Sequence, residues 1–96
     1  MDNETVIKEF LSGRQAKTPL RNITNGYYSY KGRTLYTDEN NLINYKTTIA
    51  TLKGNKLYLN ITKYSNTTSH IQSKIRRLAT NMGLEIVEVK GIEYEL

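Results

Sequence analysis

The run Leu57-Tyr58-Leu59-Asn60-Ile61-Thr62, followed by Ser69-His70-Ile71-Gln72-Ser73-Lys74-Ile75-Arg76-Arg77-Leu78-Ala79, changes its hydrophobic period within one short length of chain. In the first part Leu57, Leu59 and Ile61 alternate with Tyr58, Asn60 and Thr62, the period of two of a half-buried strand. In the second, Ile71, Ile75, Leu78, Ala79 and Met82 fall on one stripe at 3.6 residues per turn, and Gly83 supplies a left-handed stop. Ser69 with Gln72 three residues on has the form of a capping box, which predicts a helix beginning at about His70. A strand leading into an amphipathic helix buries both apolar faces when the two pack as layers.

Working towards the N-terminus, Lys53-Gly54-Asn55 reads as a turn. Asn41 to Leu52 is rich in β-branched and aromatic residues, with Ile43, Tyr45 and Ile49 on one face. Ala50 and Leu52 take the other parity, which predicts a bulge or strand end near Ala50. Asp38 to Asn41 reads as another turn, and Tyr27 to Tyr30, Lys31-Gly32-Arg33 and Thr34 to Thr37 read as the strand, turn and strand of a hairpin. Arg14 to Asn25 reads as a polar connector, broken by Pro19 and ending in the Asn25-Gly26 turn signal. Val6, Ile7, Phe10 and Leu11 predict a short first helix, capped by Asp2 or Asn3 and stopped by Gly13. Towards the C-terminus, Leu84 to Lys90 reads as a last strand, and Gly91 separates it from a short acidic end. The expected fold is α+β: an antiparallel β-meander of three to five strands packed against one C-terminal amphipathic helix, with a short N-terminal helix, in a single domain over residues 1–96. A chain of this size buries only about 60 to 65% of its unfolded surface, so one modest core is expected.

The absence of cysteine from the sequence removes disulfide scaffolds, thiolate zinc sites and cysteine nucleophiles, and fits a reducing cytoplasm. The start, MDNETVIKEFLSG, is acidic and broken by charges, unlike a signal peptide, and no run has the length and apolarity of a membrane span. Asn22, Asn60 and Asn66 open N-x-T triplets, which carry no meaning in a protein that is not exported.

The net charge of +5 is segregated along the chain. From Arg14 to Arg77 there are twelve Lys or Arg and two acids, the adjacent Asp38 and Glu39; from Asn40 to Leu84 there is no acid. Both ends are acidic. Such a distribution points to a negatively charged partner on the central elements. At helical spacing His70, Lys74, Arg77 and Asn81 lie on one flank of the second helix and Arg76 on the other, while Thr67, Thr68 and Ser69 stand at its positive end. With Lys46, Lys53, Lys56, Lys63 and Tyr64, these are the residues expected to bind nucleic acid or another partner. Three basic residues on a helix are also an ordinary solvated face, and hydroxyls before a helix also serve as simple caps.

Tyrosine is interleaved with lysine at Tyr30-Lys31, Tyr45-Lys46 and Lys63-Tyr64, a pattern suited to stacking on unpaired bases beside phosphates. With no tryptophan and one phenylalanine, the same tyrosines are also wanted for the core. A catalytic role has little to stand on: His70 is the single histidine and has no carboxylate near it in sequence, and Asp38 and Glu39 are turn neighbours badly placed to share a substrate or a metal. The glycines are isolated, without a phosphate-cradling loop. No enzyme activity, metal or cofactor is expected.

Asn41-Leu42-Ile43-Asn44-Tyr45-Lys46-Thr47-Thr48-Ile49-Ala50, then Leu57-Tyr58-Leu59-Asn60-Ile61-Thr62-Lys63-Tyr64-Ser65-Asn66-Thr67-Thr68-Ser69-His70 and Ile75-Arg76-Arg77, resembles a group of small uncharacterised proteins and domains of bacteriophages and archaeal viruses. In that group a tyrosine-rich strand leads into a threonine-lysine-tyrosine-serine, threonine-threonine-serine, histidine segment and then basic residues; Phe10-Leu11-Ser12-Gly13 is similar to its opening. The resemblance covers roughly residues 10–77, with Tyr58 to His70 its specific part. It departs where Ile71 separates His70 from Gln72, and where the tyrosine segment from Tyr27 to Tyr36 looks like an insertion. The resemblance implies a viral setting rather than a chemistry. The roles it leaves open are an accessory protein docking RNA, DNA or a host ribonucleoprotein, an anti-CRISPR-like inhibitor acting by protein contact, and a virion or homo-oligomeric structural protein.

Overall fold

The computed structural model describes residues 1–91, apart from the side chain of Asn25. The chain runs α1 (Asn3–Leu11), β1 (Arg21–Asn25), β2 (Tyr28–Gly32), β3 (Leu35–Asp38), β4 (Asn41–Asn44), β5 (Thr47–Lys53), β6 (Lys56–Asn60), α2 (Asn66–Asn81) and β7 (Glu85–Val89). The architecture is α+β, as the sequence pattern indicates, with two helices and seven strands in two sheets among the described residues. The acidic end after Gly91 lies outside the described residues.

The main sheet has the order β3-β4-β5-β6-β7. Its first four strands form an antiparallel meander, but β7 pairs parallel to β6, which makes α2 a crossover helix rather than the C-terminal element. Leu35, Leu42, Ala50, Leu57 and Leu59 point to the helices and are buried against Val6, Ile7 and Phe10 of α1 and Ile71, Ile75, Leu78 and Ala79 of α2. Tyr36, Ile43, Tyr58 and Val87 alternate onto the other face and are half-buried. The outer edge of β3 is covered by the segment before it, through Thr18 N to Leu35 O and Thr37 N to Ala16 O, each 2.9 Å. No helix among the described residues is long and apolar enough to cross a membrane.

Asp2 caps α1, its carboxylate accepting the Thr5 N–H at 2.8 Å, and Gly13 closes the helix with φ 82°. The second helix starts a full turn earlier than the Ser69 signal indicates. Ser65 is its cap, extended in backbone, with Oγ accepting the Thr68 N–H at 3.2 Å. Starting there puts Thr68 on the buried stripe one turn before Ile71, a placement masked by its hydroxyl. Gln72 closes no capping box; its side-chain amide Nε2 donates to Asn60 O at 2.7 Å and Thr62 O at 3.0 Å, binding the preceding loop to the helix. Met82, expected on the stripe, is exposed at the helix end.

The tyrosine hairpin is differently paired from its sequence reading. Arg21 to Asn25 is a strand, not a connector, and β2 pairs with it around a two-residue turn, Gly26-Tyr27, with Gly26 at φ 64°. Lys31-Gly32-Arg33 is the passage from this ribbon to β3, because Leu35 is fully buried and must join the main sheet opposite Asn44. Likewise, Asn41 to Leu52 is two strands, broken at Tyr45-Lys46. The bulge expected near Ala50 is one residue earlier: Leu42 pairs with Ala50 and Ile43 with Thr48, leaving Ile49 extra and turned into the core.

Candidate functional site

At one end of the main sheet three segments meet: the β1–β2 ribbon, the β4–β5 turn and the loop entering α2. Between them lies a cleft of about 660 Å³. Tyr30 of β2, Tyr45 and Lys46 of the turn, and Tyr64 and Ser65 of the loop line it, with Ile23, Asn44 and Thr68 deeper in the wall. A second groove of about 380 Å³ lies on the other side of Tyr30, Tyr45 and Lys46 and is lined also by Lys31, Arg33 and Tyr36. The three shared residues form the ridge between the grooves. Lys46 Nζ stands 4.7 Å from the centre of the Tyr30 ring, which holds the turn to the ribbon by a cation–π contact.

The cleft wall is a satisfied polar network. Thr68 Oγ1 donates to Asn44 Oδ1 at 2.7 Å, and Asn44 Nδ2 donates to Thr34 O at 2.7 Å. Asn60 Nδ2 donates to Thr48 O at 3.1 Å and to the Tyr64 hydroxyl at 2.9 Å, which positions the Tyr64 ring at the mouth. These bonds tie α2 to β4 and tie β6 to β5 and to the Tyr64 loop, so the cleft stands on rigid elements. Tyr45 adopts φ 57°, in the left-handed region, while its N–H donates to Thr34 O at 2.9 Å. A bulky residue in that region is strained, and such strain concentrates at functional positions.

The twelve residues singled out from the sequence are distributed over three regions. Lys46, Lys63, Tyr64, Thr67, Thr68 and Ser69 lie at or next to the cleft, where Thr68 is buried as a wall residue and Lys63 and Thr67 are exposed on the loop and first turn. Lys53 and Lys56 lie at the far end of the sheet, paired across the end of β5 and the start of β6; Lys53 Nζ is 5.9 Å from the Tyr58 ring centre and Lys56 is 3.7 Å from Glu85. His70, Lys74, Arg76 and Arg77 lie along α2, where carboxylates from both acidic ends fold back among them. Arg76 pairs with Glu88, and Arg77 with Glu4 at 3.3 Å. The Asp2 carboxyl is held below its ordinary value, chiefly by its hydrogen bonds from Thr5 and in small part by Lys74. The flank of α2 is thus a mixed-charge surface, whereas Arg21, Lys31, Lys46 and Lys63 have no carboxylate within ion-pair distance among the described residues.

Three Tyr–Lys neighbours of the sequence, at 30–31, 45–46 and 63–64, are therefore brought to one end of the molecule. Ile23, Asn44 and Thr47 were missed as wall residues. The signal for Ile23 was present: an Asn25-Gly26 turn read as the end of a hairpin puts Ile23 opposite Tyr30. No family model, curated protein or solved structure matches the chain.

Proposed function

We propose that the protein is a small binding protein, of the accessory kind made by bacteriophages, that holds nucleic acid in the cleft between the β1–β2 ribbon and the start of α2. One observation carries this: Tyr30, Tyr45 and Tyr64, each beside a lysine, converge on a single cleft although 34 positions separate the first from the last. Aromatic rings interleaved with cations are what a strand of nucleic acid needs, since the rings take base faces and the ammonium groups take phosphates. The charge distribution supports it as well. From Arg14 to Thr37 the chain has five basic residues and no acid, and that length includes the whole ribbon. The role proposed is binding in the cytoplasm of a host cell, without catalysis.

The test is a gel-shift titration with RNA and DNA oligonucleotides at two salt concentrations. Phosphate contacts release counterions, so the affinity should fall with salt by a log–log slope of about 0.7 to 0.9 per neutralised phosphate. A flat response tells against the proposal.

An alternative role, inhibition of a host defence complex by protein contact, draws on the uncovered backbone edges of the two-stranded ribbon, which offer pairing to another chain. The same edges serve self-association. Capture of a host ribonucleoprotein that survives nuclease digestion favours direct protein contact; a mass above one chain in light scattering favours the oligomer.

A further inference from the structure

Side chains alternate across a ribbon, so the register Asn25↔Tyr28, Ile23↔Tyr30 and Arg21↔Gly32 puts Tyr28, Tyr30 and Ile23 on one face. Ile23, Thr24 and Tyr30 line the cleft; Ile23 is buried and Tyr30 is held by Lys46, so the face that carries Ile23 and Tyr30 is the one turned towards it. Tyr28 continues the face outwards from Tyr30, about 7 Å further along the strand. The Tyr30 ring lies back over Gly32, where a Cβ would come within 2.9 Å of its Cε2. Tyr28 is 78% exposed. A tyrosine presents about 150 to 250 Å² of largely apolar surface, and nothing in the packing of the ribbon requires one at this position.

We propose that Tyr28 extends the cleft into a track for a single strand: one base is held among Tyr30, Tyr45 and Tyr64, and a neighbouring base stacks on Tyr28, so that the partner is unpaired nucleic acid. This rests on the nucleic-acid role proposed above. In a duplex both faces of each base are already stacked and its edges are paired, which leaves no face for Tyr28 or for a ring inside the cleft. Of the nearby cations, Arg21 shares this face of the ribbon and Lys46 stands at the ridge, while Lys31 points to the opposite face and the second groove; Arg21 and Lys46 are the ones placed to meet the phosphates of a strand whose bases take the rings.

The experiment compares wild type, Tyr28→Ser, Tyr28→Phe and Lys46→Ala by fluorescence anisotropy, using labelled single-stranded RNA and DNA of about twelve nucleotides, within the site sizes common for such proteins, and the matching duplexes. Tyr28→Ser should weaken single-strand binding by about 5- to 150-fold, the range of one lost base–aromatic stack. Tyr28→Phe, which keeps the ring, should stay within about twofold of wild type. Thermal unfolding should be unchanged in both, because the side chain is exposed. Tyr28→Ser binding as wild type does, while Lys46→Ala binds more weakly, overturns the track and leaves the cleft standing. Tighter binding of duplex than of single strand overturns the choice of an unpaired partner. Failure of wild type to bind any of the oligonucleotides removes the nucleic-acid role and the track together.

Discussion

The Lys46 ammonium sits 4.7 Å from the centre of the Tyr30 ring, and this one contact ties the β4–β5 turn to the ribbon and separates the two grooves. An exposed cation–π pair contributes about 0.5 to 1 kcal/mol. Lys46→Ala should therefore cost little stability, and its main effect should be on binding. The salt slope should fall by about 0.7 to 0.9, read from isotherms at several salt concentrations. Lys74→Ala with Arg77→Ala should change the slope less, since Arg77 already has Glu4 beside it.

Tyr45 is held at φ 57°, where asparagine is much better tolerated than a bulky side chain. Tyr45→Asn should raise the stability by up to about 1 kcal/mol in urea unfolding, by relieving the backbone. It should at the same time weaken oligonucleotide binding, because the ring is lost from the cleft and the ridge. Loss of both stability and binding would mean that the ring, not the backbone, dominates at this turn.

Gly32 gives a way to move Tyr30 without removing it. In Gly32→Ala the new methyl would stand 2.9 Å from Tyr30 Cε2 and 3.3 Å from Ile23 Cδ1, so the Tyr30 ring must swing away. Affinity should drop several-fold while the unfolding free energy changes by less than about 1 kcal/mol, since the ribbon stands outside the main core.

Ser65 and Ser69 separate the observed start of α2 from the one its sequence advertises. Ser65→Ala removes the hydroxyl that accepts the Thr68 N–H and should cost about 0.5 to 2 kcal/mol. Ser69→Ala, inside the first turn, should stay within about 0.5 kcal/mol. Chemical denaturation of the two variants checks the order.

The Asp2 cap has a pH signature. Its carboxyl is held below the ordinary aspartate value by hydrogen bonds from Thr5, so the folded state favours the ionised form. With a depressed folded value, the contribution is complete above the unfolded-state value and disappears as pH falls through the folded one. In Asp2→Asn the amide oxygen keeps a cap but does not titrate. The stability difference between wild type and Asp2→Asn should therefore be constant near neutrality and shrink only in acid, below about pH 4.

Much of this fold is legible where one side chain set has one period. Leu57 and Leu59 alternate in β6, and Ile71, Ile75, Leu78 and Ala79 stripe α2, because burial on a single face leaves the sequence little choice. Legibility fails where a polar residue is buried by bonding rather than by hydrophobicity. Thr68 belongs to the helix stripe through its bond to Asn44, and no hydropathy pattern carries that. It fails again where strand pairing is chosen at long range: Leu35 joins the main sheet because the core needs it, and that choice leaves β2 to pair with the polar Arg21–Asn25 segment. The site follows the same division. The Tyr–Lys neighbours are visible in sequence, but their convergence is a property of the topology, as is the return of Glu4 and Glu88 to the arginines of α2.

Amide chemical-shift mapping during titration with a short single-stranded oligonucleotide locates the contact directly. The largest shifts should fall on Tyr28, Tyr30, Tyr45, Lys46, Tyr64 and Ser65, with little change at Arg76 and Arg77. Shifts centred on α2 around His70 to Arg77, or an unaltered spectrum at saturating oligonucleotide, would show that the cleft is not where this protein meets nucleic acid.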